Sequence, residues 1–168
     1  AALGRRRNEN IEDLQSLKFG VRVDREGSLL RDYHTVKSIK SSYVTSRYYI
    51  MDAVFLVGLE GEKSFLREID YALRHPVFPL FLGRRSCPPE GRLSLGIRDE
   101  ESLIEVLQNE PWQVSDWMSR KINGCFPLRI VTDTDSKMPS SYFQRDLPLS
   151  FDQRHRKFGL RSIRESYS

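Results

Sequence analysis

Residues 47–76 constrain the fold more than any other part of this chain. RYYIMDAVFLVGL (47–59) is dense in β-branched and aromatic side chains and ends in a nearly continuous apolar run, the composition of a central strand buried in a sheet. GEKSFLREIDYALRHP (61–76) follows at once, with Phe65, Leu66, Ile69, Ala72 and Leu73 at helical spacing. That spacing puts them on one stripe of a helix, which Pro76 ends. A long strand feeding an amphipathic helix predicts an α+β domain.

The flanking segments add shorter elements. ENIEDLQSL (9–17) spaces Ile11, Leu14 and Leu17 as a short amphipathic helix does, with acidic residues early. FGVRVD (19–24) alternates Phe19, Val21 and Val23 against Gly20, Arg22 and Asp24, the pattern of a half-buried strand. After the turn residues REGS (25–28), LLRDYHTV (29–36) is strand-like again, so the two strands are expected to pair as a hairpin. KSIKSSYVTS (37–46) reads as an exposed loop or hairpin tip. In VFPLFLGRRSCPPEG (77–91), prolines surround a short apolar core, so any strand there is an edge or loop-bounded one. EESLIEVLQNEP (100–111) is a second helix with Asp99 as its N-cap. Trp112 and Trp117 lead to a strand in FPLRIVTDT (126–134), and the tail SFDQRHRKFGLRSIRES (150–166) is basic. With a strand ahead of residue 1, the early order matches the β-α-β-β-α-β of a ferredoxin-like fold.

Length and charge narrow the function classes. At 168 residues the chain suits one domain with a real core. Its net charge of +4 is concentrated at Arg5 to Arg7, at Arg84 with Arg85, and from Arg154 to Arg164, a clustering that suits a polyanion or a solvated surface. Cys87 and Cys125 are far apart with no ligand-spaced histidine, which argues against zinc and fits a cytosolic protein. Glu100 with Glu101 reads as helix-dipole chemistry rather than a metal site, and no phosphate-loop glycine motif occurs. His75, beside Pro76, reads as a cap on the preceding helix.

FLGRRSCP (81–88) puts two arginines directly after a glycine, where an apolar run stops. It reads either as a basic turn or as an anion-binding loop. Arg31, Arg47, Arg84, Arg85 and the basic tail are interleaved with Tyr33, His34, Tyr43, Tyr48 and Tyr49, a mixture of cations and aromatic faces that single-stranded RNA needs. The alternative is that the tyrosines pack strands and the arginines are merely solvated. RDYHTVK (31–37) also contains Tyr33, His34 and Lys37, which together offer a base, an acid and a phosphate-binding cation for metal-independent RNA cleavage. On a strand, however, Tyr33 and His34 face opposite ways.

FGVRVDREGSLLRDYHTV, FLGRRSCP and LPLSFDQRHRKFGLRSIRE, in this order and separation, resemble the CasD-type subunits of type I-E Cascade, CRISPR-associated proteins of the RAMP superfamily. RDYHTV and LGRRSCP carry most of the likeness, which spans nearly the whole chain. The resemblance implies a single RAMP-type domain over 1–168: a ferredoxin-like (RRM-like) palm, an inserted β-hairpin thumb at about 31–50, and C-terminal β-strands with a basic segment at about 150–166. Family members begin with a strand and a Gly-rich helix start before the AALG segment, so the palm is expected to be incomplete at its N-terminus.

The same resemblance implies a cytoplasmic crRNA-binding subunit of an antiviral surveillance complex, one that caps the 5′ handle of the crRNA. It would touch the Cascade backbone subunits and the large subunit, meet target DNA only indirectly, and need no cofactor and no membrane. The expected RNA-binding residues are Arg31, Tyr33, His34, Arg47, Tyr48, Gly83, Arg84, Arg85, Ser86, Arg154 and Arg156. In type I-E systems a separate endoribonuclease cuts the precursor, which implies a non-catalytic role. Type I-C relatives cut with Tyr, Lys and His side chains, so a repeat-RNA endoribonuclease using Tyr33, His34 and Lys37 is the alternative.

Overall fold

The computed structural model describes residues 1–37, 41–99, 102–121 and 127–168. In chain order the elements are α1 (Glu12–Gln15), β1 (Lys18–Arg25), β2 (Ser28–Lys37), β3 (Ser42–Met51), β4 (Val54–Glu60), α2 (Lys63–Arg74), α3 (Leu103–Asn109), α4 (Asp116–Lys121), β5 (Arg129–Asp133), β6 (Ser141–Ser150) and β7 (Lys157–Tyr167). Five strands form one antiparallel sheet in the order β4-β1-β5-β7-β6, while β2 and β3 form a separate two-stranded ribbon. The expected α+β composition is present, with a different strand pairing.

Strand β1 does not form a hairpin with β2. It lies between β4 and β5, with Val21 opposite Val57 on one side and Val131 on the other. β2 pairs instead with β3, from Ser28 opposite Met51 to Lys37 opposite Ser42. The physical reason lies in side chains: both faces of β2 interrupt their apolar residues with charged or polar ones, Arg31 and Lys37 on one and Asp32 and His34 on the other, so neither forms a continuous apolar face for a core. β1 has both faces to cover.

The run 47–59 is likewise not one central strand. It breaks after Met51, where Asp52 takes φ +58, a left-handed conformation that Asp tolerates better than most residues. Residues 42–51 belong to the ribbon, including the part of 37–46 expected as a loop tip. Residues 38–40 lie outside the described residues. The remainder, β4, stands at the sheet edge, and its Phe55 and Val57 are 47% and 53% exposed because they alternate with Leu56, which packs on the core under α3.

The alternation in β1 is real, but the better buried face is the opposite one. Gly20, Arg22 and Asp24 are buried, whereas Phe19, Val21 and Val23 are half-buried. Helix α3 explains this. Leu103 and Leu107 pack with Ile130 in the core, and they reach it because Gly58 and Gly20 leave room: a Cβ on Gly58 would stand 2.5 Å from Leu103 Cδ1, and one on Gly20 2.8 Å from Leu107 Cδ1. Burying each leucine contributes about 1.5–3 kcal/mol.

Arg22 then meets the end of α3. Its Nη1 donates to the carbonyls of Leu107 and Glu110 at 2.6 Å each, its Nη2 to Pro111 O at 3.0 Å, and its Nε to Asp24 Oδ1 at 2.6 Å. Asp24 Oδ2 accepts from the Gln113 amide at 2.6 Å, and Trp112 Nε1 donates to Asp24 O at 2.9 Å. Two charges are therefore buried together with their hydrogen-bonding capacity satisfied.

Smaller features also differ from expectation. α3 is capped by Ser102, whose hydroxyl accepts from Glu105 N at 3.4 Å while the Glu105 carboxylate accepts from Ser102 N at 3.1 Å, a reciprocal capping box. Asp99 is not the cap because its carboxylate pairs with Lys63 at 2.8 Å, and Glu100, Glu101 and Cys125 lie outside the described residues. The 9–17 helix contracts to α1, with Ile11 and Leu17 buried at its flanks. His75 does sit at the end of α2, its backbone amide donating to Tyr71 O at 2.9 Å and its Nδ1 3.2 Å from the same oxygen. No strand forms in 77–91. β6 escaped the sequence reading because Pro148 interrupts it; as an edge strand it tolerates the irregular register at Pro148/Ser150.

Candidate nucleic-acid interface

The ribbon β2–β3 leaves the sheet between β1 and β4, which are neighbours, so it projects from one end of the sheet. At its base Gly27 takes φ +76, and a Cβ there would lie 2.5 Å from Met51 O and 2.8 Å from Ala53 N. Only glycine fits both the angle and the space. Arg25 reaches Asp52 at 3.7 Å across the same base. Strands of ten residues rise roughly 30 Å, so the ribbon is a long arm, and most of its side chains are exposed.

Register and pleat divide the arm into two faces. On one, the Arg31 guanidinium lies 4.5 Å from the Tyr33 ring centroid and 5.9 Å from that of Tyr48, while Nε and Nη2 donate to Ser46 Oγ at 3.2 and 3.1 Å. Lys37 shares this face by alternation. On the other, His34 Nε2 lies 2.5 Å from Asp32 Oδ2 and 3.5 Å from Arg47 Nη1, with Tyr49 alongside in the register. Tyr33 and Lys37 are thus on one face and His34 on the other, so no single phosphate meets all three.

FLGRRSCP forms a closed turn, with Leu82 N donating to Cys87 O at 2.7 Å and Cys87 N to Arg84 O at 2.9 Å. Gly83 takes φ +77 with nothing within 4 Å of a Cβ position, so the turn needs glycine for its backbone angle rather than for space. Arg84, Arg85 and Ser86 are exposed. The Arg84 guanidinium lies 5.5 Å from the Tyr49 ring centroid, so this turn rests on the His34 face of the arm. Two segments that are separate in sequence meet there, and the two adjacent arginines have different surroundings.

Charge pairing marks some arginines as part of the framework. Arg5, Arg22, Arg74, Arg98, Arg129 and Arg161 pair with carboxylates. Among the described residues, Arg31, Arg47, Arg84 and Arg85 have no ion-pair partner. Arg154 and Arg156 sit elsewhere, in the connection from β6 to β7. Arg154 N donates to Asp152 Oδ1 at 2.8 Å, and Arg156 lines a groove with Arg5, Arg6, Arg7, Leu14 and Phe151. The basic tail strand begins only at Lys157. Asp32, Ser46 and Tyr49 hold the site residues, yet sequence reasoning gave the first two no role and Tyr49 no partner. Pairing β2 with β3 rather than β1 would have revealed them.

Among the described residues, no group of three or more His, Cys, Asp or Glu side chains is placed to hold a metal ion. No helix there is long and apolar enough to cross a membrane.

Residues 1–164 match the family model described as CRISPR-associated protein (Cas_Cas5). The chain belongs to that Cas5 family. It is similar to the CRISPR system Cascade subunit CasD of Escherichia coli (strain K12), at 34% identity over 115 residues covering 56% of this chain and 51% of that protein. The chain therefore spans about half of that curated relative within the match. A solved structure titled CRISPR RNA-guided surveillance complex matches this Cas5 chain with a TM-score of 0.75 and 30% identity, over 100% of this chain and 74% of that one. A structure titled Crystal structure of Cas protein matches with a TM-score of 0.73 and 35% identity, over 99% and 74%.

Proposed function

We propose that this Cas5 chain is a crRNA-binding, non-catalytic subunit of a Cascade-type antiviral surveillance complex. In it the β2–β3 arm and the 82–87 turn hold the 5′ handle of the crRNA and cap that end of the backbone filament. The observation that carries the proposal is the meeting of Arg84 with Tyr49, which adds an exposed arginine turn to the Arg47 face of the arm. Unpaired guanidiniums suit phosphates because their planar forks bind two oxygens at once. The likeness to a protein named as a Cascade subunit and to a structure titled as an RNA-guided complex supports the assignment.

In this reading 1–168 is one RAMP-type domain, the five-stranded sheet is its ferredoxin-like palm and the arm is its thumb. Other surfaces meet the backbone and large subunits, and target DNA is reached only through them. Arg154 and Arg156, beside Arg5 to Arg7, form a second basic surface for RNA further along the guide. The endoribonuclease alternative would require Tyr33 and His34 at one phosphate, and the pleat separates them.

The test is binding of a single-stranded handle RNA. Arg84→Ala with Arg85→Ala should weaken affinity and reduce the salt slope by about 0.7 for each phosphate that is no longer neutralised. Unchanged affinity and slope would remove the turn from the interface. Cleavage of a repeat hairpin in EDTA, abolished by His34→Ala, would favour the endoribonuclease instead.

A further inference from the structure

The two faces of the arm differ in what they can bind. On the His34 face, Arg47 and Arg84 present guanidinium donors that no carboxylate neutralises. On the Arg31 face, two of the guanidinium's five N–H groups point to Ser46 Oγ, which fixes its plane beside the Tyr33 and Tyr48 rings. What this face offers is flat π surface. Tyr33 is 60% and Tyr48 56% exposed, and they are flanked by Leu29 at 71% and Ile50 at 63%, side chains that gain nothing from a phosphate.

We propose that the Arg31–Tyr33–Tyr48 face is a stacking platform for unpaired nucleobases, while the opposite face takes the phosphates. This deepens the RNA-binding reading above and rests on it. An unstacked base lies on an aromatic ring or on a guanidinium plane with little regard to its identity, so this face contributes affinity without base readout. Arg31 serves twice: it polarises toward the Tyr33 ring, and it extends the aromatic surface between Tyr33 and Tyr48. Ser46 positions it and touches no RNA.

The experiment compares the purified 168-residue chain and its variants on two probes, a handle-length single-stranded RNA and the same backbone with abasic sites. Tyr33→Ala with Tyr48→Ala should lower affinity for the intact RNA roughly 5- to 150-fold, the equivalent of one stacked base. It should leave the salt slope and the abasic affinity unchanged. Retained abasic binding also shows that the arm is still folded. Tyr33→Phe with Tyr48→Phe should bind like the wild type, because stacking needs the ring and not the hydroxyl.

Three results would overturn the platform: no loss on the alanine pair, a loss on the phenylalanine pair, or an equal loss on both probes. If any of these appears while Arg84→Ala with Arg85→Ala still flattens the salt slope, the platform fails and the RNA-binding reading stands. If the wild type binds neither probe, both fail.

Discussion

Arg22 and Asp24 show how a residue's partners, more than its type, set its place. Two charges on one strand face suggest solvent, yet these are 1% and 4% exposed, joined to each other and to the carbonyls that end α3. Arg22→Met should therefore destabilise the chain by about 3–5 kcal/mol in urea unfolding, since it strands a buried carboxylate and leaves helix-end carbonyls without donors. Arg129→Met, which breaks a surface pair with Glu165, should cost less than about 1 kcal/mol. The period of two in FGVRVD was legible in sequence. Which face is the more buried was not, because it depends on the last turn of a helix some 85 residues later, a separation visible in the Arg22 to Leu107 hydrogen bond. The arginines of the proposed interface pose the same problem: nothing local distinguishes Arg84, which meets a tyrosine, from Arg74, which meets Asp70.

Strand β2 and helix α2 were both recognisable from their own residues, and the position of β2 was not. An arm needs a strand pair that can leave the sheet, and the signal for departure is two left-handed residues, Gly27 and Asp52, at its base. Gly27 can be read as a turn residue. Asp52, inside an apolar run, looks like strand interior, which is why 47–59 reads as a single element. Gly27→Ala should be tolerated poorly, because its new methyl group meets the backbone of Met51 and Ala53. The expected result is faster amide hydrogen exchange across 28–51, with the β1–β5 pairing still protected. Uniform loss of protection would place the strain in the sheet rather than in the arm.

Across the whole molecule, acidic groups tie distant segments together. Arg5 holds the Asp13 carboxyl below its ordinary range, Lys18 does the same for Glu60 with help from the Leu103 amide, and Lys63 does so for Asp99. A carboxylate that is more acidic in the folded state adds stability above its unfolded pKa and loses it as pH falls through the folded value. Urea midpoints should hold from neutral pH and decline below about pH 5, more weakly in high salt because these pairs are largely exposed. A midpoint that rose on acidification would contradict this arrangement. At this scale the α+β class was legible in the run of strands and helices and the family likeness in RDYHTV and LGRRSCP, but the approach of LGRRSCP to the arm, through Arg84 and Tyr49, appears only in the folded chain. The most direct test of the proposed RNA-binding surface is photocrosslinking of a handle RNA substituted with 4-thiouridine, with adducts located by mass spectrometry. Adducts within 31–49 and 82–87 together are the expected result; adducts confined to the sheet or to the Arg5–Arg156 groove, with none on the arm, would contradict it.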